Sequence, residues 1–531
     1  MCPSIFDTSR FTPLFRQLAR RSREASPFRE KPRRSTTTTA FFAGDLTKNR
    51  RKSLGQTLKD TPYLVRTVIA AVLGLLALVC TTGAVMAGAR LPLPLSNPLS
   101  DEPAELSVRV ADAADGSELS ARLQLVQSGP FHAQRNLVAA RGTQKLALQP
   151  GEYRILASHG PEWSVAERRV SLEGGERRAL TLALRREVQP KRYSACDLHV
   201  HTNASRDSHV GLTDRLASVA AEGLSVAVVT DHNHAHAFER PVRGHGVELV
   251  PGVEITTWEP EFGHFNMFPS SHAPVYKRST PEKLLAALPP AKSRFIQVNH
   301  PRLLRHIGYF ELAHERDLNV ADAMRHGFDG IEVWNGYDLH RPEQRDRVMA
   351  DWLSLVAAGR KLVATGGSDS HDLTHTIVGY PRTYVELARG EDLSQSLATA
   401  LRAGRAFVSN GPVLELEVEG RVPGESASVA RNKRHVRVHV RVDAPAWMDL
   451  STVELWLDGK RVTRVPVPAW TSAGKRPEQA RAQLRLDLPI SAGRAHSVLA
   501  MVRGERPMRE LFGRREVTPF AFTNPVWVTR K

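Results

Sequence analysis

The chain has 531 residues, with 41% apolar and 24% charged residues, ordinary values for a globular protein with material for two to four domains. Its formal charge is +17, but residues 1–66 alone hold 15 Lys/Arg against 5 Asp/Glu, so the basicity reads as a terminal arm and not as a nucleic-acid groove. Cys2, Cys80 and Cys196 are its only cysteines and exclude a disulfide framework.

Residues 1–66 are basic and Ser/Thr-rich, the composition of a disordered tail. Val68 to Ala89 is then an uncharged run of 22 residues, long enough to cross a bilayer as a helix. Basic residues precede it, so a transmembrane segment over 67–89 would leave the N-terminus in the cytoplasm and export the bulk of the chain. A signal anchor is the favoured reading, because the run exceeds a usual signal-peptide core. The alternative is a cleaved signal peptide, for which Ala87-Gly88-Ala89 offers small residues; Asn49-Arg50-Arg51-Lys52 faintly resembles a twin-arginine signal. Residues 90–104 form a Pro-rich linker.

From 105 to 188 short alternating runs, such as Leu106 to Val110 and Ala179 to Leu184, predict a small β-sandwich. From 190 to 411 apolar strand candidates alternate with helical patterns. One such pattern starts at Thr213, one at Thr280-Pro281, and one runs from Gln344 to Ala358. Such an order implies an α/β fold with a parallel sheet. Seven strands, most ending in a polar residue, imply a closed barrel with its site at the C-terminal face. From 412 to 531 alternation returns and predicts a C-terminal β-sandwich.

The strand ends carry the chemistry: Asp197-Leu198-His199-Val200-His201, Thr230-Asp231-His232-Asn233, Gly252-Val253-Glu254, Gly263-His264-Phe265, Asn299-His300-Pro301 and Ser368-Asp369-Ser370-His371. Residues i and i+2 of a strand share a face, so His199 projects with His201. A carboxylate has two acceptor oxygens, and Glu254, midway through the series, is the natural bridge between ions. Mixed imidazole and carboxylate ligands suit Zn, Mn or Fe. Cys196 adjoins the first motif but reads as a small buried strand residue. His234 and His236 read as rim residues.

In that order these motifs resemble the polymerase-and-histidinol-phosphatase superfamily, and most of all its carbaryl-hydrolase-like (CehA/McbA) branch. Gly330 to Asn335, Gly404 to Pro412 and Phe522 to Pro525 add to the likeness, which covers about 190–531. The resemblance implies a distorted seven-stranded barrel holding two or three divalent ions. It assigns His199, His201, Glu254 and Asp369 to the first ion and Glu254, His264 and His300 to the second. His232 and His371 go to the third. The family's remaining ligand to that ion falls at Arg206, which cannot serve; Asp207 is the substitute and His209 the backup.

Two ions would activate a water and aim it at an electrophile. Asp231 is a candidate to orient a ligand or handle a proton. Arg302 is a candidate to bind phosphate through its planar fork. Asn299, Asn335 and Ser368 are candidate pocket donors, and Trp334 a candidate stacking surface. The leading function is hydrolysis of a phosphate mono- or diester of a nucleotide-like or other small molecule. Amide, ester or carbamate hydrolysis is the alternative, and a non-catalytic exported binding module a third. No stable nucleic-acid complex is expected.

Overall fold

The computed structural model describes residues 102–128, 134–139, 141–238, 242–288, 292, 294–304, 307–315, 318–388, 390–468 and 481–531. The tail over 1–66, the apolar span over 67–89 and nearly all of the linker over 90–104 lie outside the described residues. Among the described residues no helix is long and apolar enough to cross a membrane. They form a predominantly β architecture with few helices.

Alternation builds the N-terminal layer. Strand Ala104–Asp112 buries Ala104, Leu106, Val108 and Val110 and turns the residues between them outward. It pairs antiparallel with Thr143–Leu148 and parallel with Arg177–Leu184. A second sheet orders Gln134–Ala139, Ala121–Gln127, Gly151–Ser158 and Ala166–Leu172. Leu106, Val108, Leu123, Leu125, Ile155, Leu182 and Leu184 share the core between the two sheets.

The central segment contributes β1 (Ser194–Val200), β2 (Val226–Val229), β3 (Val247–Pro251), β4 (Val253–Thr256), β5 (His264–Phe268), β6 (Phe295–Val298), β7 (Gly330–Asn335) and β8 (Val363–Gly367). Helices α1 (Leu212–Ala221), α2 (Pro281–Ala287) and α3 (Pro342–Ala357) lie between them. Thr280 caps α2 by accepting from the Lys283 amide, and Pro281 opens the first turn. Helix α1 starts two residues earlier than its sequence pattern suggests, with Gly211 and not Thr213 at the cap position.

The sheet departs from the expected all-parallel barrel in two ways. Strand β5 runs antiparallel to both β4 and β6. The connection over 257–263 is too short for a parallel crossover, which needs about a dozen residues. The strands also do not close into one continuous barrel. β1, β2 and β3 belong to one sheet and β4 to β8 to another. Among the described residues, the bridges Val200–Ser370 and His232–Glu254 join the two. At one junction Gly252 separates β3 from β4, where a Cβ would meet Val228 Cγ1 at 2.8 Å. At the other, Asp369 takes a left-handed backbone (φ 52°) just past β8, which stops the ladder.

The expected border at 411/412 is crossed by a sheet. β9 (Arg382–Val385) pairs with β1, β10 (Ala406–Ser409) with β9, and β11 (Phe520–Thr523) with β10. The same sheet continues into Ala495–Arg503 and Thr452–Leu457. β10 would otherwise present an open edge, and β11 covers it. A three-stranded sheet of Val413–Val418, His435–Asp443 and Ala482–Pro489 packs on this one through Leu414, Leu416, Val440, Val498 and Val502.

The layers are tied by a buried ion pair. Arg122 of the N-terminal sandwich places Nε 2.7 Å from Oε1 of Glu222, just past α1, and both side chains are 2% exposed. Nη1 of Arg122 donates to the carbonyl of Leu511 in the C-terminal layer at 2.6 Å.

Candidate metal centre

Strand β1 and the residue just past it supply the first two imidazoles. His199 and His201 are both fully buried, their rings 5.2 Å apart. Nδ1 of His199 lies 2.9 Å from Oε1 of Glu332 on β7, so that nitrogen carries the proton and Nε2 is left as the ligand atom. Nδ1 of His201 lies 2.9 Å from Ser205 Oγ, and Ser205 donates to Asp231 at 2.9 Å. Asp231 also accepts from the amide and hydroxyl of Thr202 and from His236. Burial works against its charge, but these donors hold its carboxyl below the usual range. Asp231 thus acts on His201 through Ser205, as a positioning residue.

Glu254 on β4 is fully buried at the middle of the cluster. Its Oε1 lies 3.1 Å from Nδ1 of His264 and 3.2 Å from Nε2 of His300, and its Oε2 lies 2.7 Å from Nδ1 of His232. Asp369 Oδ1 lies 3.3 Å from Nε2 of His199 and 3.1 Å from Nε2 of His201. Oδ2 of Asp207 reaches Nε2 of His232 at 3.2 Å and Nε2 of His371 at 3.4 Å, though its side chain is 55% exposed. His209 is exposed.

Ligand atoms within reach of one ion fall into four groups: His199–His201–Glu254, His199–His300–Asp369, His232–Glu254–His264 and His201–His232–His371. The sharing of residues between groups is what a centre of adjacent ions requires. Nε2 of His199, His201 and His371, Nδ1 of His300 and Oε2 of Glu254 are buried without a hydrogen-bond partner. Buried polar atoms are otherwise nearly always paired, so this orphaned set fits divalent cations. The electrostatics agree. Burial opposes charge on Glu254, yet His232, His199 and His264 hold its carboxyl well below the ordinary range. Burial likewise opposes protonation of His199, and Asp369, Glu332 and Glu254 outweigh it. Imidazole and carboxylate converge here at distances that a cation would bridge.

Two ligand positions carry unusual backbone. His300 (φ 26°) and Asp369 (φ 52°) are left-handed without being glycine, which costs about 1–3 kcal/mol each. Glu332 Oε2 accepts the His300 amide at 2.9 Å, and the His199 carbonyl accepts the Asp369 amide at 2.8 Å. Asp197 accepts the amides of His199, Ser368 and Gly379. Arg215, buried in α1, donates to the carbonyls of His201 and Ser370 and so pins the ends of β1 and β8.

The remaining expected site residues sit differently. The Arg302 guanidinium is held by Asp351 at 2.5 Å and Glu311 at 3.0 Å, so its fork is already filled and cannot grip phosphate. Trp334 is fully buried against Phe520 and Arg345, which makes it core and not a stacking surface. Its neighbour Asn335 donates to Glu332 at 2.9 Å and Asp369 at 3.2 Å. Asn299 donates to Glu254 at 3.0 Å and Asn266 at 2.8 Å. Both amides orient carboxylates. Ser368 Oγ donates to the His199 carbonyl at 3.4 Å. Cys196 is buried and free, with its thiol toward the Ser194 carbonyl. His234 is exposed.

Glu332, Ser205 and Arg215 are functional residues that the motifs do not single out. Glu332 had one signal, a carboxylate inside the apolar run Gly330 to Trp334. Arg215 had another, a cation on the apolar face of α1.

No family model and no curated protein matches the chain. Among solved structures, an Endonuclease Q complex with a 27-mer duplex bearing an abasic lesion is 14% identical over 40% of this chain, with TM-score 0.30. The lesion-specific endonuclease PfuEndoQ from Pyrococcus furiosus is 13% identical over 40%, with TM-score 0.28. The chain spans 56% of the length of each. A DUF3823 family protein from Parabacteroides merdae is 21% identical over 18% of this chain and 52% of its own length, with TM-score 0.14. Likenesses this slight carry no argument about activity.

Proposed function

We propose that the chain is a metal-dependent phosphoesterase of the polymerase-and-histidinol-phosphatase type, acting on a phosphate mono- or diester of a small molecule. The observation that carries this is the ligand set: buried imidazole and carboxylate atoms, among them the unbonded Nε2 of His199, His201 and His371, that fall into overlapping groups around His201 and Glu254. On this reading β1 to β8 form that family's distorted barrel, opened at two junctions. His199, His201, Asp207, His232, Glu254, His264, His300, Asp369 and His371 would hold two or three ions of Zn, Mn or Fe. Divalent ions held there supply Lewis acidity, which activates water and offsets charge on phosphoryl oxygens.

The chain's own residues do the positioning. Glu332 fixes the tautomer of His199, and Asp231 fixes that of His201 through Ser205. Asn299 and Asn335 hold Glu254 and Asp369 in register. The apolar span over 67–89 with basic residues before it supports a membrane-anchored enzyme acting outside the cytoplasm.

A second reading, hydrolysis of a carbamate or carboxylic ester, is favoured by one observation. A cavity beside Ser368 is walled by Leu339, Ile377, Phe512 and Val517. Metal analysis of the purified chain, with assays on phenyl phosphate, bis-phenyl phosphate and phenyl carbamate, tests both readings. The phosphoesterase reading requires bound metal and phosphate release that His199→Ala abolishes. Carbamate turnover alone would replace it, and full activity in His199→Ala would remove the site.

A further inference from the structure

With Arg302 neutralised by two carboxylates, a cationic cluster elsewhere borders cavities that begin at Ser368. From Ser368, which precedes Asp369, a cavity of about 520 Å³ runs outward past Tyr337, Leu339, Ile377 and Phe512. A second cavity of about 550 Å³ adjoins it, and His375, Ile377, Phe512 and Arg515 border both. Arg135 of the N-terminal sandwich and Arg514 of the C-terminal layer border this outer cavity with Arg515. Among the described residues no carboxylate lines it.

Neighbouring arginines are neutralised and these three are not. Arg509 lies 3.1 Å from Glu516, and Arg154 lies 3.3 Å from Glu167. No carboxylate pairs with Arg135, Arg514 or Arg515 among the described residues. The walls are nevertheless tied together. Asn136 donates to the Thr374 carbonyl at 2.9 Å, and Arg515 Nη1 donates to the His375 carbonyl at 2.7 Å. Both carbonyls belong to the loop that follows His371. Three separate parts of the chain therefore converge on this outer cavity, and the inner one, which Glu516 also borders, reaches Ser368 and Tyr337 beside Asp369. Three guanidiniums without counter-charge form a receptor for an anion, and their planar forks match phosphate, sulfonate or carboxylate oxygens.

We propose that Arg135, Arg514 and Arg515 form a second anion subsite, so that the substrate carries an anionic group joined to its scissile ester by an apolar or aromatic spacer. This rests on the hydrolytic reading of the metal centre. The ester lies at the ions, the spacer lies along Tyr337, Ile377 and Phe512, and the distal anion meets the arginines.

The test uses the full chain and two probes, biphenyl phosphate with and without a sulfonate on the distal ring. The sulfonated probe is expected to show a kcat/KM at least about tenfold higher, the worth of one or two charge-assisted hydrogen bonds. The ratio should fall towards one in Arg514→Ala/Arg515→Ala, and independently in Arg135→Ala, which sits in a different layer. Raising NaCl from about 0.05 to 0.3 M should also shrink it, through screening. A purely structural role would change both probes alike. Equal rates on the two probes in the unaltered chain, or an unchanged ratio in both variants, would overturn the subsite. If neither probe is hydrolysed, the phosphoesterase reading fails by itself. The subsite is then decided by calorimetric binding of hydroxybiphenyl sulfonate. Binding that is lost in the variants supports it, and no binding or unaltered binding refutes it.

Discussion

Glu332 holds the His199 ring with one oxygen and the His300 amide with the other, at 2.9 Å each, so one carboxylate on β7 sets two ligands from β1 and β6. Replacing Glu332 by Gln keeps the size but removes the charge that fixes the His199 tautomer. Metal affinity is expected to fall about 10–100-fold, measured by competition against a chromogenic chelator. Unchanged affinity would mean that His199 needs no such support.

Gly367 is a steric requirement of the site. A Cβ there would lie 2.6 Å from His199 Cβ and 2.9 Å from Glu332 Oε1. Gly367→Ala should displace both, with bound metal reduced while far-UV circular dichroism stays near that of the unaltered chain. Full metal content in this variant would show that β1 can shift without loss.

The Arg122–Glu222 pair should couple the sandwich to the rest of the chain. Glu222→Ala leaves a buried guanidinium uncompensated, an expected loss of about 3–5 kcal/mol read from urea midpoints. Arg122→Met/Glu222→Leu should recover most of that loss. A single variant as stable as the unaltered chain would show that water reaches Arg122.

His159 gives a pH dependence away from the metal ligands. Its ring packs edge-on to Trp163 at 5.0 Å, and burial lowers its pKa from the ordinary 6.5 to about 4. A depressed folded-state pKa means that the unfolded chain binds the extra proton between those values. The stabilisation is complete above about pH 6.5 and is lost as pH falls through about 4, amounting to about 3 kcal/mol. His159→Phe should flatten the decline of denaturation midpoint between pH 6.5 and 4. An equally steep decline would assign it to other groups.

Strand ends were legible in the sequence because ligand chemistry marked them: His199, His201, Glu254 and Asp369 each follow or close an apolar run. The sense of β5 was not, because the run His264 to Phe268 reads the same in either direction and only the short 257–263 connection decides it. Arg302 and Trp334 misled for a shared reason. A residue adjacent to a motif in sequence can point away from it, and partners such as Asp351 and Phe520 are distant along the chain. Asp207 was legible only as a substitute for Arg206, yet it lies between His232 and His371.

β11 carries a consequence for biosynthesis. Phe520 donates its amide to Asn410, 110 residues earlier, and Asn524 clasps Ala364 of β8 through both its amide oxygen and nitrogen. A ribosome adding about 5–20 residues per second leaves β10 without this neighbour for roughly 5–20 s. During that interval the nascent chain exposes the unpaired apolar edge of β10. A chain ending after residue 411 would keep that edge unpaired, and is expected to yield a sticky fragment and no smaller enzyme.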